Sequence, residues 1–80
     1  MRESEFVRKS REKSGLSQLD VAEVMGYTSG QFISNIERGI CELPAENVRH
    51  FCEITNASPR TYLRIKVEAE RKRLRRAIYS

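Results

Sequence analysis

Apolar residues recur along this chain at steps of three and four, the spacing that gathers them on one face of a helix, and nowhere at the two-residue step of a half-buried strand. The clearest pair of elements lies in residues 17–39, SQLDVAEVMGYTSGQFISNIERG. Ser17 is a good N-cap, and Asp20 three residues on suits the first helical turn, after which Val21, Ala22 and Met25 share one face. Gly26 before Tyr27 accepts a positive φ at little cost, so the first helix can end there and the chain can turn. Thr28 or Ser29 can cap the next helix. Its inner arc carries Phe32, Ile33 and Ile36; its outer arc carries Gly30, Gln31, Ser34, Asn35 and Arg38.

The same reasoning places three more helices. The first runs from about Glu3 to Ser14, is stopped by Gly15, and is anchored by Phe6 and Val7, with Phe6 expected to fill space left by the small Ser10. Pro44 suits the first turn of a fourth helix that turns Val48, Phe51, Cys52 and Thr55 inward and ends near Asn56. Ser58 then caps a fifth helix with Pro59 at its first position, spanning 59–79. Along it Leu63, Val67, Glu70, Leu74 and Ala77 or Ile78 form a narrow stripe. Either Tyr62 and Leu63 close the core and the rest is a solvated helix, or Leu63, Val67, Leu74 and Ile78 form a homodimer contact. The second reading is preferred, because Leu74 and Ile78 lie too far along the chain to reach the core and an isolated helix of this length holds poorly.

The outer arc of the third helix has a definite chemistry. A Gln or Asn amide sets a donor beside an acceptor, which matches N6 and N7 of adenine in the major groove, and Gly30 allows close approach of backbone. Arg38 supplies charge for a phosphate. Gln18, at the start of the preceding helix where free N–H groups favour an anion, is a further phosphate candidate.

GLSQLDVAEVMG followed by ISNIERG resembles the lambda-repressor-like (Cro-type, XRE-like) helix-turn-helix family over roughly residues 7–63. That family has Gln at the start of helix 2, Ala four residues on, Gly in the turn, and I-S-x-I-E-x-G through helix 3. The resemblance implies an all-α, compact five-helix DNA-binding domain, here with an extended basic C-terminal helix. It implies base contact around Gly30, Gln31 and Asn35, phosphate contact at Gln18 and near Arg38, and an internal ion pair between Arg11 and Glu37; Ser29 and Ser34 join them as base-reading candidates and Thr28 as a phosphate candidate. The chain departs from the pattern in two places. It carries one residue more between Gly26 and Ile33 than the shortest family form, and Glu42 puts an acid in a loop where many relatives present basic or neutral groups to DNA.

Composition narrows the function. Eighty residues make one domain, 1–80, that buries only about 60% of its unfolded surface, too little for an enclosed enzyme cleft. With one histidine and no grouped nucleophile and base, no enzymatic role is expected. No apolar run nears the roughly 18 residues of a membrane span, and MRESEF lacks the apolar core of a signal peptide, so a cytoplasmic, bacterial or nucleoid-associated protein is expected. Cys41, Cys52 and His50 fall short of the four ligands a structural zinc takes, so no metal or other cofactor is expected. Cys52 should fill a core slot, and His50 should face solvent.

The net charge of +4 is divided unevenly. Residues 1–57 carry seven Lys/Arg against nine acids, whereas residues 58–80 carry eight against two. The reading head is therefore weakly acidic and the tail basic. The expected partners are double-stranded DNA and a second copy of the chain, in a transcriptional regulator of repressor type on a near-palindromic operator. An antitoxin-like module whose C-terminal helix docks on another protein, or a restriction-modification controller protein, is the alternative.

Overall fold

The computed structural model describes residues 1–79, which form five helices and no strand: α1 (Glu3–Lys13), α2 (Gln18–Val24), α3 (Gln31–Glu37), α4 (Ala45–Thr55) and α5 (Pro59–Tyr79). Local signals set most of the boundaries. Ser17 and Asp20 form a reciprocal capping box, the Asp20 N–H donating to Ser17 Oγ and the Ser17 N–H to Asp20 Oδ2, both at 2.9 Å. Those hydrogen bonds hold the Asp20 carboxyl below its usual pKa. Gly26 takes φ 83°, a conformation that other residues rarely adopt, and the chain leaves α2 through it. Asn56 closes α4 in the left-handed region at φ 57°. Ser58 accepts the Thr61 N–H at 3.2 Å and starts α5.

One core serves all five helices. Val7 of α1, Val21 and Ala22 of α2, Ile33 and Ile36 of α3, and Phe51 and Cys52 of α4 are buried around Tyr62 of α5 and Leu43 of the α3–α4 loop. His50 is exposed. Phe6 and Phe51 meet the Tyr62 ring edge-on, with centroids 5.2 and 6.0 Å away.

Four details differ from the sequence reading. Pro44 stands at the N-cap of α4 and not within its first turn, its carbonyl accepting the Asn47 N–H at 2.9 Å. Phe6 leans on Tyr62 and leaves a surface cleft of about 440 Å³ beside Ser10. Phe32 is only half-buried, because it lies against the Tyr27 ring at the edge of the core. Tyr62 and Ile65, rather than Tyr62 and Leu63, close the core from α5: Leu63 is 62% exposed. At about 100° per residue, the face carrying Leu63, Val67, Leu74 and Ile78 lies opposite the one carrying Tyr62 and Ile65. Every residue from Val67 to Tyr79 is exposed.

Candidate nucleic-acid interface

The floor of the site is a set of contacts that seat α3 on α1 and α2. Ile33 and Ile36 are buried beneath it. At its end, Glu37 receives the Arg11 guanidinium side-on, Nε at 2.6 Å from Oε2 and Nη2 at 3.0 Å from Oε1, while Arg11 Nη1 donates to the Leu16 carbonyl at 2.9 Å. The two side chains are only 12% and 5% exposed, and the hydrogen bond to Glu37 raises the Arg11 pKa against the opposing effect of burial. Gln18 Nε2 donates to the same Glu37 Oε1 at 3.1 Å. The first side chain of α2 is thereby tied to the last of α3.

Gly30 has a role that a helical wheel does not reveal. Its Cα faces α2 rather than the outer arc, and a Cβ placed there would lie 3.2 Å from the Leu19 nitrogen and 3.3 Å from the Gln18 carbonyl carbon. The close approach that glycine permits is therefore between α2 and α3. Gly30, and neither Thr28 nor Ser29, stands at the N-cap of α3, which has no side-chain cap; the Ser29 hydroxyl accepts the Gln31 N–H at 3.3 Å from the turn before it.

The outward face of α3 presents its amides as a linked pair. Gln31 Nε2 donates to Asn35 Oδ1 at 2.9 Å across one turn, which leaves the Gln31 carbonyl oxygen and the Asn35 NH₂ free for other partners. Gln31 is exposed and Ser34 and Asn35 partly so; Thr28, Ser29 and Arg38 are exposed. These groups offer donors and acceptors at the two ends and along one side of a helix narrow enough for a major groove.

A second polar cluster was not signalled by the sequence. Glu3 Oε2 accepts from the Tyr62 hydroxyl at 2.6 Å and the Leu43 N–H at 3.0 Å and lies 3.1 Å from Lys66 Nζ, which donates to the Leu43 carbonyl at 2.6 Å. It fixes the far end of the loop that follows α3. In the sequence Glu3 looks like an ordinary acid in a first helical turn, and its partners lie 40 and 59 positions away. Nearby, Asn47 Nδ2 donates to the Tyr27 hydroxyl at 2.7 Å, tying α4 to the turn between α2 and α3.

Among the described residues no helix is long and apolar enough to cross a membrane, and no cluster of His, Cys, Asp and Glu could hold a metal ion. A family model described as a helix-turn-helix domain matches residues 4–64. No curated protein and no solved structure matches the chain significantly. The matched span takes in the first four helices and the anchored start of α5, including the buried seat of α3 and its linked amides. The chain belongs to the lambda-repressor-like, Cro-type helix-turn-helix family of DNA-binding domains.

Proposed function

We propose that this protein is a sequence-specific transcriptional regulator that binds double-stranded DNA as a homodimer, with α3 as its recognition helix. One observation carries the reading: α3 is held from behind by buried isoleucines and the Arg11–Glu37 pair, while its open side displays hydrogen-bonding groups with no burial requirement of their own. Ser29, Gln31, Ser34 and Asn35 are assigned to base edges, with Gly30 contributing by letting α3 close on α2. Gln18, Thr28 and Arg38 are assigned to phosphates. The Gln18 amide keeps one N–H beyond its bond to Glu37, enough to donate to a phosphate oxygen.

The dimer is assigned to the outward stripe of α5. Leu63, Val67, Leu74 and Ile78 are all exposed on the side away from the core, and burying them against the same stripe of a second copy would remove apolar surface from water. A two-fold assembly of this kind offers two recognition helices to major-groove faces about 34–36 Å apart on a near-palindromic site. A heterologous protein on that stripe, as in an antitoxin, is the competing occupant.

Selection of bound fragments from a random DNA pool, together with sedimentation of the free protein, tests the whole proposal. An enriched near-palindrome preferred by about a thousandfold over random DNA, and a dimer in solution, are the expected results. A pool without enrichment would remove sequence-specific reading. A monomer both free and on DNA would remove the homodimer.

A further inference from the structure

The loop that follows the recognition helix, residues 39–43, carries no basic residue, yet two arginines from its flanks share a cleft with it. This cleft, of about 470 Å³, lies between the loop and the first turn of α1, with Arg2, Ser4 and Arg38 in its lining. Arg2 immediately precedes α1 and Arg38 immediately follows α3. Both are exposed, and neither pairs with a carboxylate among the described residues.

Two acids, Glu3 and Glu42, also line the cleft, and both are engaged by the same lysine. Glu3 Oε2 lies 3.1 Å from Lys66 Nζ and is further occupied by the Tyr62 hydroxyl and the Leu43 N–H; Glu42 Oε1 lies 3.4 Å from Lys66 Nζ. Lys66 offsets one of their two negative charges, and with Arg2 and Arg38 three cations stand against two carboxylates around the cleft, which leaves it net positive.

We propose that this cleft holds a backbone phosphate of the DNA, with Arg2 and Arg38 closing on it together; the inference rests on the DNA-binding reading above. A guanidinium presents paired N–H donors that match phosphate oxygens, and two of them from separate elements fix the phosphate relative to both α1 and α3. Because the cleft lies where the recognition helix ends, a strand held there sets the register in which Gln31 and Asn35 meet the bases. Arg2 supplies the cation that the loop itself lacks.

The test is the salt dependence of binding of the full chain to a random-sequence duplex, compared among wild type, Arg2→Ala, Arg38→Ala and the double variant. The two side chains are exposed and unpaired, so unchanged melting curves are expected. Each single variant should lose part of the slope of log K against log salt, and the double variant about 0.9 in all, the contribution of one phosphate. A wild-type slope in Arg2→Ala, or a loss near twice that value in the double variant, overturns the shared site while DNA binding stands. A wild-type protein that binds no duplex overturns both.

Discussion

The Gln18 amide nitrogen donates to Oε1 of Glu37 at 3.1 Å, so the side chain that opens α2 is held by the one that closes α3. Glu37 is bound in turn by Arg11. The start of α2, the end of α3 and α1 are thus coupled through a single carboxylate.

Glu37→Gln should be costly for that reason. The substitution leaves the Arg11 guanidinium, 12% exposed, without its counter-charge. The loss in urea unfolding should exceed the roughly 0–1 kcal/mol of an exposed pair and approach the roughly 3–5 kcal/mol of a buried one. A variant as stable as wild type would show that the pair is effectively solvated.

Gln31 and Asn35 should behave as a unit. Gln31→Ala is expected to leave the melting temperature nearly unchanged and to cost about 1–3 kcal/mol against the selected site. Since Gln31 donates to Asn35, adding Asn35→Ala should cost less than the sum of the two single changes. Binding titrations on the specific site and on random DNA check this, and equal weakening on both would argue against base readout.

Gly30→Ala probes the crossing of α2 and α3. The backbone there has φ −71°, which alanine adopts freely, so strain is not the issue. The added methyl would meet backbone atoms of Gln18 and Leu19, which cannot swing away as a side chain can. A destabilisation of about 1–3 kcal/mol is expected from this overpacking, with weaker DNA binding alongside it. Thermal denaturation and a single binding isotherm suffice to check it.

Stability should fall at alkaline pH. Burial, reinforced by the Glu3 carboxylate at its hydroxyl, pushes the Tyr62 phenol above its ordinary value, and burial pushes the Cys52 thiol up as well. Both groups are neutral acids whose pKa is higher folded than unfolded, so the unfolded chain releases protons first. Their contribution is intact below the unfolded values of about 8.5 for Cys and about 10 for Tyr, and is lost as pH rises through and beyond them. Tyr62→Phe should flatten the upper part of this loss in melts taken across pH 8–11. An unchanged alkaline profile would count against the Tyr62 assignment.

Deleting residues 71–80 removes Leu74 and Ile78 from the outward stripe together with five basic residues, Arg71, Lys72, Arg73, Arg75 and Arg76. The truncated chain is expected to dimerise more weakly. Its salt slope should fall by about 0.9 for each phosphate that the tail neutralises in the full-length protein. Sedimentation and slope both identical to those of the full chain would move the dimer surface elsewhere.

What could be read from residues alone was local. The Ser17–Asp20 capping box, the Gly26 turn, the Ser58–Pro59 start of α5 and the inward Ile33 and Ile36 each depend on groups within about one helical turn, where spacing dictates geometry. The motif ISNIERG added the family and, through it, the Arg11–Glu37 pair, which no local rule supplies. Tertiary structure decided the rest. Whether Leu63 or Ile65 turns inward depends on the angle at which α5 meets α1 and α4, since the two lie on different faces of one helix and both are apolar. Whether Gly30 faces the outer arc or α2 depends on how closely α2 and α3 cross, and the Glu3–Tyr62–Lys66 cluster exists only once the starts of α1 and α5 meet at the Leu43 loop. Periodicity gives the direction of a side chain about its own helix axis, but what it touches is set by the packing of one helix against another, which no single segment encodes.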